Sequence, residues 1–227
     1  MSQISLATHF TKFNPGDIFL DLGAGSGNSF QVAKTLLSEP ILVSVESSTS
    51  ANKYYSDRFN VRAYSEIEEF KKQGNQAKII LLSHSLEHFR FDDVASLLHQ
   101  IGSALSKQGV CVIEVPAANL IRDRDLLSND SPHLLFFSLK SLTLLLEKMN
   151  FQILSAQVMG QQIELNTSSD EKMNKRLIHF LRRIGSRIIR LLDSSMITID
   201  VSPKGSMYSN FIQSDKGSLI RVAISIK

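Results

Sequence analysis

The chain has 227 residues, 43% of them apolar and 21% charged, with a formal net charge of +3. This is the composition of a soluble globular protein long enough for one α/β domain with a sizeable core. No apolar run approaches the ~20 residues that a bilayer-spanning helix needs, and no basic stretch followed by an apolar core marks a secretory leader. The one cysteine, Cys111, excludes internal disulfides and fits a reducing compartment.

Taken in order, residues 2–13 suit a short helix lying over a site, ended by Pro15-Gly16. Residues 17–22 read as a buried strand, followed by a glycine-rich turn and a helix over 28–37 that Pro40 stops. A strand over 41–45 ends in Glu46, and Thr49 or Ser50 can cap a helix to about residue 58. A weak strand over 60–64 and a charged helix over 65–72 follow, with Gly74-Asn75 as its stop. A strand over 78–83 runs into the polar cluster His84-Ser85-Leu86-Glu87-His88. A helix over 92–106, a turn at 107–109 and a strand over 110–115 closed by Pro116 come next. Cys111 lies in that strand among valines and an isoleucine, and reads as a small buried hydrophobe. A long irregular loop over 117–135 leads to a helix over 138–149 with Leu139, Leu142, Leu145 and Leu146 on one face. Strands over 151–159 and 218–226 complete the domain.

Strands alternating with helices specify a doubly wound, mostly parallel sheet with right-handed crossovers. Ligands of such sheets bind outside the carboxyl ends of the strands. Asp21, Glu46, Ser83 and His84 all fall at those ends. The turn Gly23-Ala24-Gly25-Ser26-Gly27 directly follows a hydrophobic strand and an acid, so backbone N–H groups and a helix N-terminus face a ligand there. A dinucleotide fingerprint would place its third small residue at Asn28, and a phosphate-binding P-loop would end in Gly-Lys-Ser/Thr. Neither holds. A side chain at Gly23 or Gly25 is expected to push a nucleoside or phosphate away from the backbone.

Asp21 through Gly27 resembles the first motif of class I S-adenosylmethionine-dependent methyltransferases, of the type that acts on small molecules and sugars. Ser83-His84-Ser85-Leu86-Glu87-His88 resembles that family's fourth-strand segment, and Lys107-Gln108-Gly109 its following turn. Gly109 to Pro116 resembles its fifth strand. His133-Leu134-Leu135-Phe136-Phe137-Ser138, leading to Met149-Asn150-Phe151, resembles its late segment, helix and turn. The resemblance implies a seven-stranded sheet of order 3-2-1-4-5-7-6 with strand 7 antiparallel. It implies S-adenosylmethionine as cofactor and S-adenosylhomocysteine as product. It also implies cofactor contacts from Asp21, Gly23, Ala24, Gly25, Gly27, Glu46, Ser47, Tyr64, Ser65, Ser83 and His84, with Glu46 on the ribose hydroxyls. Tyr64 and Ser65 depart from the acid or amide usual at the third strand's end, so adenine recognition there passes to a backbone N–H or to Glu66. Asn150 replaces the glycine of the last turn, where asparagine also tolerates positive φ.

A methyl sulfonium needs a nucleophile held in line and, where that nucleophile carries a proton, a base. His84, His88 and His133 are the candidate bases, because histidine titrates near neutral pH. Each also has a structural reading, strongest for His88. Asp21 either shapes the loop or reaches the methionine ammonium, and Glu46 either binds the ribose or caps a helix. One cysteine and scattered histidines argue against a zinc site, so no metal is expected. No Asn/Asp-Pro-Pro-Tyr follows strand 4 and no Pro-Cys nucleophile is present, which makes a nucleic-acid base an unlikely acceptor and favours a small molecule, sugar or glycan precursor.

Residues 1–160 and 218–227 are expected to form the methyltransferase domain, with 161–217 an insertion in it. Residues 171–192 carry seven Lys/Arg against one Glu, so the rest of the chain is net acidic. Leu177, Leu181, Ile184, Ile188 and Leu191 recur there at helical spacing, which describes a basic amphipathic helix. It is packed on the core, laid on an anionic membrane surface, or used to hold a phosphorylated acceptor. The expected setting is cytoplasmic and bacterial-type, in polysaccharide biosynthesis, with candidate peripheral contact at the inner face of the membrane. Two rivals remain: a nucleic-acid methyltransferase, and a scaffold that binds the cofactor without turnover.

Overall fold

A computed structural model describes residues 2–117, 133–159 and 219–227. The strands are β1 (Ile18–Leu22), β2 (Ile41–Val45), β3 (Arg62–Tyr64), β4 (Ala77–Ser83), β5 (Leu105–Pro116), β6 (Phe151–Met159) and β7 (Leu219–Ile226). They form one sheet in the order β3-β2-β1-β4-β5-β7-β6. Strands β1 to β5 pair in parallel, while β7 runs antiparallel to both β5 and β6. The expected order and the expected reversed strand are both present.

Both faces of this sheet are covered, which is why its strands read as nearly continuous apolar runs. On one face Phe19, Ile79, Leu81, Val110 and Val112 pack under helices α1 (Gln3–Phe10), α2 (Asn28–Leu36) and α3 (Thr49–Phe59). On the other, Leu20, Ile80, Leu82, Cys111 and Ile113 pack under α4 (Ile67–Lys72), α5 (Phe91–Ala104) and α6 (Leu139–Lys148). Alternate residues of one strand thus serve opposite cores. Cys111 is fully buried, and burial pushes its thiol up, so it stays protonated and acts as a small apolar residue. Along α2, Phe30 and Ala33 are buried, whereas Val32 and Leu36 lie exposed.

Several boundaries differ from the sequence expectation for local reasons. Ser48, rather than Thr49 or Ser50, caps α3, its hydroxyl accepting from Ala51 N. Asn60 takes the left-handed conformation that ends α3, so β3 starts only at Arg62. The turn expected at 107–109 is absorbed into β5 as an irregularity. Ala77 pairs with Leu105 and Ile79 with Val110, and a side chain at Gly109 would stand 2.9 Å from the Ala77 carbonyl. Asn150 does take positive φ, at 67°.

The ends of the long loop meet in a bridge between Ala117 and Phe137. The rest of that loop, residues 118–132, lies outside the described residues. So do 160–218, with the expected insertion and its basic helix. Among the described residues no helix is long and apolar enough to cross a membrane.

β7 delivers one charged group to the interior. Arg221 stands opposite Glu114 in the β5–β7 register, and its Nε and Nη2 both donate to Glu114 Oε2. Both residues are buried. Replacing Arg221 by methionine strips this carboxylate of its guanidinium, and a loss of about 3 kcal/mol or more is expected in urea unfolding. Adding Glu114→Gln should recover most of that loss, because the buried charge is then gone.

Candidate active site

The glycine turn after β1 is held from three directions. Gly23 N donates to Val45 O on β2 at 3.0 Å, and Gly27 N closes the turn onto Ala24 O at 2.8 Å. Tyr55, buried on α3, donates its hydroxyl to Gly25 O at 2.6 Å. Ser85 donates to Leu22 O at 3.0 Å. Gly23 has φ of 80°, and a Cβ there would stand 2.5 Å from Ser85 Oγ. The constraint at Gly23 is thus the protein itself. Gly25, with φ of 53°, has nothing within 4 Å of an added Cβ, so its backbone is open to a ligand.

Asp21 lies beneath this turn, 3% exposed, and its Oδ1 accepts no hydrogen bond. Burial pushes its carboxyl from 3.8 up to about 6. The Ser29 hydroxyl beside it pulls downward, and the Glu46 carboxylate adds to the rise. Neither Asp21 Oδ1 nor Ser29 Oγ makes a hydrogen bond of ordinary geometry.

Glu46 follows β2, half-buried, with its backbone N–H on Tyr64 O and its carbonyl accepting from Asn52 Nδ2 at 2.6 Å. Its Oε1 accepts from Ser48 N at 3.0 Å and from Ser47 Oγ at 3.4 Å. The carboxylate is therefore oriented by the entry to α3, which is what the capping reading of Glu46 describes.

At the third strand's end the expected contacts are engaged locally. Tyr64 donates its hydroxyl to Gln73 Oε1 at 2.8 Å, and the Ser65 amide and hydroxyl both donate to Glu69 Oε2. That takes up the Ser65 backbone N–H, one main-chain donor at this strand end. Glu66 is the N-cap residue of α4.

β4 brings the remaining residues. Ser83 Oγ accepts from Gln3 Nε2 at 2.7 Å, which lays α1 over the strand end as expected. His84 adopts φ of 51°, an uncommon backbone for a non-glycine residue. Its ring lies between two acids, Nε2 3.5 Å from Glu114 Oε1 and Nδ1 3.5 Å from Glu87 Oε1. Glu114 first and Glu87 second raise its pKa to about 9 against the effect of burial. For Glu114, burial alone acts upward, but the His84 ring and the Arg221 guanidinium outweigh it and hold the carboxyl below its ordinary value. His84, expected as a candidate base, is thus charged at neutral pH and has no free lone pair with which to take a proton.

A single 3-10 turn, Leu86–His88, follows. His88 is exposed, and its ring centroid lies 5.0 Å from that of the half-buried His133. The fold therefore joins two of the three histidines proposed from sequence and sets the third between Glu87 and Glu114. Tyr55, Ser85 and Asn52 carried no sequence signal for their anchoring roles, because each works through a long-range or medium-range contact to main chain.

A family model described as a methyltransferase domain matches residues 4–156. The chain belongs to this family. The glycine turn, Glu46 and the histidine cluster-bearing turn all lie within the matched methyltransferase segment, while His133 lies in its later part. No curated protein matches the sequence. Among solved structures, a putative methyltransferase from Bacillus halodurans superposes with a TM-score of 0.64 at 14% identity, covering 98% of this chain and 96% of that one. A SAM-dependent methyltransferase from Archaeoglobus fulgidus gives 0.61 at 16% identity, over 98% and 91%. The 1,6-didemethyltoxoflavin-N1-methyltransferase of Burkholderia thailandensis, bound to S-adenosylhomocysteine, gives 0.52 at 18% identity, over 68% of each chain. At these identities the likeness is one of fold. Family and fold together place the chain among the class I S-adenosylmethionine-dependent methyltransferases.

The residues present fit that cofactor. Asp21 has a buried oxygen without a donor, which an ammonium would satisfy, and Gly25 leaves backbone room beside it. The raised Asp21 carboxyl has a consequence for the ligand-free enzyme. The folded chain keeps this proton up to about pH 6, whereas the unfolded chain loses it near 3.8. Stability is therefore lost as pH rises through that window, by about 3 kcal/mol when complete. Asp21→Asn is expected to raise the Tm of the ligand-free protein at pH 8, and the gain should vanish by about pH 4.

Proposed function

We propose that this enzyme moves the methyl group of S-adenosylmethionine to a small-molecule, sugar or glycan-precursor acceptor by direct in-line displacement. The acceptor's lone pair forms the new bond to the methyl carbon as the carbon–sulfur bond breaks. S-adenosylhomocysteine leaves, and the acceptor's proton passes to a base or to solvent. The carrying observation is the buried Asp21 oxygen without a donor beneath a glycine turn whose backbone stays open at Gly25.

In this reading Asp21 meets the methionine ammonium, the backbone of Gly23, Ala24, Gly25 and Gly27 lines the donor, and Glu46 with Ser47 takes the ribose hydroxyls. Ser83 and the charged His84 border the methionine end, and the adenine lies near Tyr64 and Ser65. His88 and His133 face the acceptor side. A small acceptor is also what one structural neighbour holds, 1,6-didemethyltoxoflavin beside S-adenosylhomocysteine. The absence of an Asn/Asp-Pro-Pro-Tyr segment after β4 points the same way. A cytoplasmic setting in polysaccharide biosynthesis suits such an acceptor.

Calorimetry with S-adenosylmethionine tests the donor site. Wild type should bind, and Glu46→Ala should weaken binding by about 100-fold, the loss of two hydrogen bonds to a charged group. No binding by wild type, or equal binding by the variant, would sink this reading. The basic segment 171–192 carries a separate expectation of contact with an anionic membrane, where a lipid-linked acceptor would be met. Reversing Arg182, Arg183, Arg187 and Arg190 to glutamate should abolish co-sedimentation with anionic vesicles. Unchanged sedimentation would assign the segment to the protein core or to a phosphorylated acceptor.

A further inference from the structure

The 3-10 turn after β4 is tied to the chain that enters α6. The backbone N–H groups of Leu134 and Leu135 both donate to the Glu87 carbonyl, at 2.8 and 3.0 Å. This fixes His133 beside His88, and one ligand atom each from Glu87, His88 and His133 lie within 4.8 Å of one another. Glu87 is 1% exposed, and neither of its carboxylate oxygens makes a hydrogen bond. The His84 ring approaches only Oε1, at ion-pair distance. A carboxylate so deeply buried is costly to keep with its lone pairs unused.

Two imidazole nitrogens and one carboxylate oxygen form a donor set suited to divalent first-row metals with positions left open to water or substrate. A tetrahedral ion with bonds of about 2.1 Å separates its ligand atoms by about 3.4 Å. The cluster must therefore close by roughly an ångström, a shift that ion binding would have to draw from the His88 and His133 side chains. Ser85, two residues before Glu87, is hydrogen-bonded to the glycine turn, so the cluster stands at the same carboxyl end of the sheet as the donor site.

We propose that Glu87, His88 and His133 bind one divalent transition-metal ion, of the zinc or manganese type, whose open positions take an oxygen of the acceptor. This rests on the proposed function for its role, though not for its existence. The ion holds an acceptor hydroxyl and lowers its pKa. The hydroxyl proton passes to solvent, the oxygen forms the bond to the methyl carbon, and the sulfur takes the bonding electrons. The two imidazoles then serve as ligands instead of bases, and the acceptor class narrows to molecules that present a hydroxyl to a metal.

The test uses the full chain, stripped with chelator and titrated by calorimetry with Zn²⁺ and separately with Mn²⁺. About one equivalent should bind. His133→Ala and Glu87→Gln should each weaken binding at least about 100-fold, while His99→Ala, at an exposed position on α5, should leave it unchanged. Cobalt substitution should give a visible ligand-field spectrum that His133→Ala removes. No binding by wild type, or equal binding by wild type and His133→Ala, overturns the site. Should Glu87→Gln fail to fold, the more exposed His88→Ala and His133→Ala decide. S-adenosylmethionine titrated into the stripped chain separates the two readings. Donor binding without metal binding sinks only the metal site, and metal binding without donor binding sinks only the methyltransferase role.

Discussion

A carboxylate removed from water must meet a cation or hydrogen-bond donors, or it becomes one of the most costly groups a fold can hold. Among the described residues, the carboxyl end of this sheet buries three: Asp21, Glu87 and Glu114. The chain satisfies them unequally. Glu114 receives the Arg221 guanidinium and the His84 ring. Asp21 keeps one oxygen without a donor, and Glu87 keeps two. The first is a solved electrostatic problem and belongs to the scaffold. Glu87 shares the His84 ring with Glu114, at 3.5 Å from Oε1 and with no hydrogen bond to either oxygen, while Asp21 Oδ1 has no donor; these two flank the histidine pair and the glycine turn. That asymmetry separates the acid that holds the sheet together from the two nearest the candidate site.

The reversed strand β7 underlies this division. An antiparallel strand entering beside β5 can set Arg221 directly opposite Glu114, and the β4–β5 register sets Ser83 level with the same residue. His84 then reaches both Glu114 and Glu87 from its left-handed backbone, linking the scaffold acid to the acid at the histidine cluster. The positive φ at His84 is a local strain that this double ion pair offsets.

Most of the sheet was legible from the chain because burial on both faces leaves an unmistakable apolar run, and glycines or prolines interrupt those runs at strand ends. The donor loop was legible for the same reason: its chemistry is written in contiguous residues, Asp21 to Gly27. What escaped depends on contacts between distant segments. Ser85 and Tyr55 anchor the glycine turn through its carbonyls, which no spacing rule reveals. Arg221 reads as a lone charge in an apolar strand until the register supplies Glu114. A count of histidines and cysteine along the sequence does not show Glu87, His88 and His133 as one group. His133 lies 45 residues after His88, and two hydrogen bonds onto the Glu87 carbonyl help to bring it back. His84 looked like a base because its residue type titrates near neutral pH. Its surroundings, two acids within 3.5 Å, decide otherwise.

The charge of the donor gives this arrangement a direction. S-adenosylmethionine carries a sulfonium and an ammonium, and transfer neutralises only the sulfonium. A contact between Asp21 and the ammonium is the same before and after the reaction, so it binds donor and product alike and cannot drive exchange. Discrimination has to come from groups that meet the sulfonium, because one opposite charge about 5 Å from it in a partly shielded site contributes about 3 kcal/mol. An acid left bare near a sulfonium is also a rival nucleophile for its methyl group. A metal ion on Glu87 ties up those lone pairs and presents an acceptor oxygen in their place. The same ion that satisfies the buried carboxylate would then decide which oxygen is methylated.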